Sequence, residues 1–156
     1  MRSNDISPPA QIDKEIHIDA PVERVWAVLT EPKQIGRWFG NGDPVEGDLS
    51  PGGRVVFDHS ENGVFPSRIE KMEPHRFFSF WWPSGFPGEE PVEGNATLVE
   101  FTLTPDGAGT RLRVTERGFS SVDVPPAPQR WLAQRNSFGW GFKVEEIREL
   151  AEQDAV

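Results

Sequence analysis

Cysteine and tyrosine are both missing from this 156-residue chain. Without cysteine there is no disulfide, no thiolate nucleophile and no thiolate metal site. Without tyrosine, beside six Trp and eleven Phe, the aromatic bulk carries no phenol. Such a set suits packing and apolar surfaces better than acid–base chemistry. No apolar run approaches the roughly 20 residues that span a bilayer. Residues 1–11 are polar, carry Pro8 and Pro9 and lack the apolar core of a secretory signal. They read as a short mobile tail on a cytoplasmic protein. Basic charge is scarce too: 16 Lys plus Arg stand against 25 Asp plus Glu, a net charge of −9. That field repels phosphate backbones and anionic lipid, so neither nucleic acid nor membrane insertion is expected.

Histidines are few and scattered. His17, His59 and His75 fall on a strand, in a hairpin and in a turn, with no acid at ligand spacing on a shared helix. No metal site is expected from them. No Ser-His-Asp arrangement or nucleophile elbow is legible. Pro51-Gly52-Gly53 precedes a strand rather than a helix, so it is no phosphate loop. No cofactor is implied.

What is present is an ordered series of elements within 12–152, the size of one domain. Ile12, Ile16, Ile18 and Ala20 alternate with Asp13, Glu15, His17 and Asp19, the period of a half-buried strand. Pro21 suits a helix start, and Val22, Val25, Trp26 and Leu29 make one apolar stripe behind it. A second short helix opens near Pro32, with Ile35, Trp38 and Phe39 inward, and stops at Gly40-Asn41-Gly42.

Strands follow. Arg54 to His59 turns through Asn62-Gly63 into Val64 to Met72, where Pro66 demands an edge or a bulge. Arg76 to Trp82 is aromatic on both faces. Residues 83–94, dense in proline and glycine, form a loop. Ala96 to Thr104 and Thr110 to Glu116 make the clearest hairpin. From about Gln129 to Ala151 one helix runs roughly 35 Å, with Leu132, Trp140, Val144, Ile147 and Leu150 on one side. A sheet needs its apolar face covered, and this helix is the large cover available. The fold class is therefore α+β, a curved antiparallel sheet around a long C-terminal helix.

Several segments carry a resemblance. Ala20-Pro21-Val22-Glu23-Arg24-Val25-Trp26, then Leu29-Thr30-Glu31-Pro32 and Arg37-Trp38-Phe39, resemble the opening of the SRPBCC (START-like, helix-grip) superfamily. The nearest branch is the one named for the activator of heat-shock protein 90 ATPase homologue. Pro51-Gly52-Gly53, Thr115-Glu116-Arg117-Gly118-Phe119 and Asn136-Ser137-Phe138-Gly139-Trp140 agree with it, in order along the chain. The resemblance implies a helix-grip fold with a hydrophobic cavity between sheet and C-terminal helix. It does not imply one activity, because relatives include lipid carriers, polyketide cyclases and chaperone regulators.

If the hairpin pairs Leu103 with Leu112, then Phe101 meets Val114 and Val99 meets Glu116. Glu116 then shares the concave face with Leu112 and Val114, and desolvation there raises its pKa. The plainer reading leaves Glu116 in solvent or paired with Arg135. Trp81 and Trp82 must point to opposite faces. The residues expected to line a ligand cavity are Trp38, Phe39, Phe57, Trp81, Phe101, Val114, Glu116, Asn136 and Trp140, with Glu116 the one catalytic candidate. Loop acids Asp43, Glu46, Asp48, Glu89, Glu90 and Glu93, if they ring the mouth, favour neutral or cationic ligands.

Opposite the core stripe of the last helix lie Trp131, Phe138 and Phe142, with Arg135 between them. This second stripe is expected either to make a homodimer contact or to be capped by the 83–94 loop. The leading expectation is binding of a small hydrophobic or aromatic molecule. One rival is a cyclase or dehydratase using Glu116 as acid and base. A second rival is a chaperone ATPase-regulating interaction module.

Overall fold

A computed structural model describes residues 6–153. Strand β1 (Gln11–Ile18) leads into helices α1 (Val22–Thr30) and α2 (Pro32–Trp38). Strands β2 (Glu46–Gly47), β3 (Arg54–Asp58), β4 (Val64–Glu73), β5 (Phe77–Trp82), β6 (Thr97–Asp106) and β7 (Gly109–Arg117) follow, and helix α3 (Pro126–Gln153) closes the chain. The seven strands form one antiparallel sheet in the order β1-β7-β6-β5-β4-β3-β2. Helix α3 lies along β1 and α1 and buries Leu132, Trp140, Val144 and Ile147 against the sheet's apolar face. This is the helix-grip architecture.

The expected hairpin register is the observed one: Leu103 faces Leu112, Phe101 faces Val114 and Val99 faces Glu116. The demand made by Pro66 is also met. Its end of β4 pairs only with β3, because pairing with β5 starts at Arg68, and a register shift follows between Ile69 and Lys71. A missing N–H therefore breaks no ladder bond. Helix α3 starts three residues earlier than the periodicity predicts, at Pro126, since prolines in a first turn forfeit only N–H groups that lack helical partners anyway.

Two contacts fix the helices beside the sheet. The indole N–H of Trp38 donates to the Val28 carbonyl at 2.8 Å, tying the end of α2 to α1. Gly36 permits the chain to fold back, for a Cβ there would sit 1.8 Å from the Asp43 carbonyl oxygen.

The expected open hollow beneath α3 is mostly occupied. Trp140 stacks on Phe39 at 5.4 Å between ring centroids and meets the edge of Phe101 at 5.7 Å. Phe39 also meets Phe57 at 4.9 Å, and Phe57 meets Phe80 at 5.0 Å. Large flat rings tile the concave face, so the excess of Phe and Trp fills volume as well as lining it. What remains is a cleft at one flank.

Candidate functional site

The end of β7 places a carboxyl in the interior. Alternation along Leu112, Val114 and Glu116 puts all three inward, and Glu116 has no exposed surface. Four donors from three elements converge on it. Trp82 Nε1 at the end of β5 donates to Oε2 at 3.0 Å, and Thr97 Oγ1 of β6 lies 2.6 Å from the same oxygen. From α3, Trp140 Nε1 donates to Oε1 at 2.8 Å, and Asn136 Nδ2 sits 3.1 and 3.2 Å from the two oxygens. Asn136 and Trp140 are four residues apart, which sets both on one helix face. Asn136 also donates to Ser84 Oγ at 2.9 Å, and Arg135 donates to the Ser84 carbonyl at 3.0 Å. The start of the 83–94 loop is thereby pinned under α3.

Burial raises the Glu116 pKa above the ordinary carboxyl value, and the hydrogen bonds from Thr97, Trp140, Trp82 and Asn136 oppose that rise. The Thr97 hydroxyl, the two indoles and the Asn136 amide all donate to the carboxyl oxygens, so every one of these bonds favours the ionised form against the cost of burial. Neither plainer expectation for Glu116 is realised: it is not in solvent, and Arg135 goes to Ser84 instead.

Beside this cluster opens a cleft of about 350 Å³. Phe39, Phe65, Trp82 and Trp140 give it apolar walls, Arg135 and Lys143 give it cations, and His59 adds an imidazole. No acid lines it among the described residues. Burial, followed by the charge of Lys143, pushes the His59 imidazole down to about 4, against its bond to the Phe39 backbone and the nearby Asp58. It is therefore neutral near pH 7. Its Nε2 is buried without a hydrogen-bond partner.

Of the nine residues expected at a cavity, Phe39, Asn136 and Trp140 line this cleft. Glu116 lies behind Trp82, Asn136 and Trp140, bonded to all three. Trp38, Phe57, Phe101 and Val114 are packed core. Trp81 requires a correction: it is 38% exposed on the opposite face and lines an outer groove of about 630 Å³ with Val92, Ala96 and Arg117. Trp82 takes the inward place, in line with Phe78 and Phe80. That parity was available in the sequence, since Ser79 shares the Trp81 side. His59 was equally findable, two residues beyond Phe57 and four beyond Val55. Arg135 and Lys143 carried no local mark.

The expected acidic mouth also gives way. Arg54 holds Glu90 with contacts down to 2.6 Å, Asn95 holds Glu89 at 3.1 Å, and Glu93 faces the outer groove. The cleft is a basic spot on an acidic protein. Nor does the 83–94 loop cap the second stripe of α3: Trp131, Phe138 and Phe142 are 60%, 72% and 61% exposed. His17 bonds Asp106 at 2.8 Å and His75 lies edge-on to Trp26. Among the described residues no three His, Asp or Glu groups converge on a metal position, and no helix is long and apolar enough to cross a membrane.

The model of the family "Activator of Hsp90 ATPase homolog 1-like protein" matches residues 19–152. A search among curated proteins finds no match. Solved structures share the fold. A Mesorhizobium loti protein is 25% identical with a TM-score of 0.74, over 94% of this chain and 99% of its own. DynU16, from the dynemicin biosynthetic locus, is 23% identical with a TM-score of 0.73, over 93% of this chain and 48% of its own. The Aha1 dimer from Colwellia psychrerythraea is 17% identical with a TM-score of 0.72, over 92% and 97%. With the match running from the end of β1 through nearly all of α3, the chain belongs to the activator of Hsp90 ATPase homolog 1-like family.

Proposed function

We propose that the protein binds a small aromatic molecule bearing an anionic or strongly accepting oxygen in the cleft beside α3. The observation that carries this reading is the pairing of walls and rim. Phe39, Phe65, Trp82 and Trp140 offer ring faces, while Arg135 and Lys143 stand at the edge and no acid faces the space. A volume of about 350 Å³ lies at the small end of ligand sites, and suits two or three fused rings. A neutral ligand gains the apolar contact alone, whereas an anion adds Coulomb attraction to Arg135 and to Lys143, whose charge is shared with Glu146 at 3.3 Å.

This reading assigns Glu116 to architecture. Its carboxyl is separated from the cleft by the side chains that hydrogen-bond it, so it does not touch a bound molecule. A cyclase or dehydratase reading with Glu116 as acid and base lacks that contact. We propose a second copy of the chain as the macromolecular partner, through the exposed Trp131, Phe138 and Phe142 stripe. The chaperone-regulator reading has the family description and the Aha1 likeness behind it, and no surface feature that favours it.

The test uses 2-naphthoate and its neutral counterpart 2-naphthalenemethanol, followed by tryptophan quenching and calorimetry. Both should bind, the anion about tenfold tighter at low salt. Lys143→Glu should remove that preference and leave the neutral probe unaffected. Absence of binding by either probe at millimolar concentration would end the proposal.

A further inference from the structure

We infer that α3 pairs with α3 of a second copy in an antiparallel arrangement whose twofold axis passes at residue 140. This rests on the self-association proposed above and specifies its register. In an antiparallel helix pair, facing positions have a constant sum of residue numbers. An axis at 140 sets Phe138 opposite Phe142 of the other copy, Gly139 opposite Gly141 and Arg135 opposite Glu145.

Three independent features fit that register. The first is the stripe: Phe138 and Phe142 already meet edge-to-face at 5.1 Å and are exposed, so a matching pair from a second copy extends a ring cluster. The second is charge. Ahead of the axis the helix carries Arg130 and Arg135 and no acid. Beyond it come Glu145, Glu146, Glu149 and Glu152, with Lys143 and Arg148 among them. Glu145 and Glu146 are paired within their own chain with Arg148 and Lys143, yet the half beyond the axis keeps a net negative charge, so an antiparallel partner lays the basic half of one helix against the acidic half of the other, twice over. Arg135, stacked over Trp131 at 5.2 Å and bonded to the Ser84 carbonyl, stands between the cleft rim and this stripe.

The third is the pair of glycines. Gly139 and Gly141 lie in the middle of a 28-residue helix, where glycine is a poor helix former. A Cβ at either one would meet nothing within 4 Å in the single chain. Gly139 also borders the cleft, where a side chain would take ligand space, whereas packing within one copy gives no reason for Gly141. At 100° per residue they flank the Phe138–Phe142 ridge on its two sides, where bare backbone lets a partner helix approach. Exposed parts of three aromatic side chains supply roughly 350 Å² per copy, so the flanking Arg135, Glu145 and Glu149 are needed to reach a specific interface of about 1,000 Å² in total.

Sedimentation velocity on the wild type should give twice the chain mass of 17.5 kDa at tens of micromolar. Phe138→Ser with Phe142→Ser should sediment as a folded monomer. Arg135→Glu and Glu145→Arg should each weaken the dimer about tenfold, and the two combined should restore it to within about threefold. Gly139→Ala and Gly141→Ala should raise the melting temperature measured at high dilution, where the chain is monomeric, yet weaken the dimer. A monomeric wild type at 100 μM overturns self-association and register together. A dimer that the combined charge exchange does not rescue, or that the alanines leave unchanged, overturns the register and spares self-association.

Discussion

Trp140 Nε1 of α3 donates to Glu116 Oε1 of β7 at 2.8 Å, and this bond ties the covering helix to the sheet at the cleft. Most of the α3 contact with the sheet is apolar side-chain packing, which fixes distance but only loosely fixes rotation. A buried acceptor met by Trp140 and Asn136 on one helix face sets the rotation as well, because turning α3 strands both the carboxyl and its donors. The ring that walls the cleft is thereby positioned by its own polar edge.

Glu116→Gln should destabilise the fold by roughly 2–4 kcal/mol. The amide NH₂ it introduces has to face at least one N–H donor, leaving buried donors opposed. Trp140→Phe keeps most of the ring and removes one donor, and should cost about 1–2 kcal/mol. Urea unfolding at pH 7 measures both. Equal stability of wild type and Glu116→Gln would mean that the donors do not organise around a carboxylate acceptor.

The pH dependence of stability should carry two opposed contributions. His59 is pushed down to about 4 in the fold from an ordinary 6.5, so it favours folding above pH 6.5, and that contribution is lost as pH falls from 6.5 towards 4. The full loss is at most about 3 kcal/mol, at 1.36 kcal/mol per pH unit. A His59→Leu variant should lose less stability over that window. Glu116 is raised, so the unfolded chain ionises first and stability from this group falls as pH rises above the ordinary carboxyl range. The difference between wild type and Glu116→Gln should therefore shrink with rising pH. Urea melts at half-unit steps from pH 4 to 8 check both signs.

Gly36→Ala should be among the most damaging single changes, at about 3 kcal/mol or more. Its methyl would meet backbone oxygen at 1.8 Å, and backbone cannot rotate aside as a side chain can. A melting temperature within two degrees of wild type would show that the α2–β2 connection yields easily.

Trp38→Phe should cost roughly 1–2 kcal/mol, since it leaves the Val28 carbonyl without the indole donor in a buried setting. Amide exchange across Val22–Thr30 and Pro32–Trp38 is the sensitive readout. Protection should fall in both helices, because the bond spans them.

Local pattern was enough for most of the elements and for the hairpin register, which set Glu116 on the concave face but left open whether it ended in solvent. Each follows from a period of two or 3.6 residues, from turn residues, or from the need to cover an apolar face. The same pattern carried the parity that separates Trp82 from Trp81 and points to His59, just past β3, on the Phe57 side, because side chains alternate along a strand between bulges. Other features were decided only in three dimensions. Whether rings line a hollow or fill it depends on how Phe39, Phe57, Phe101 and Trp140 tilt against one another, a matter of volume between distant segments. Whether Arg135 would neutralise Glu116 or leave it to two indoles, an amide and a hydroxyl depends on the rotation of α3. The basic character of the cleft within an acidic chain arose in the same way. Charge along a sequence adds to a total, but a site experiences only those charges that the fold brings within a few ångströms.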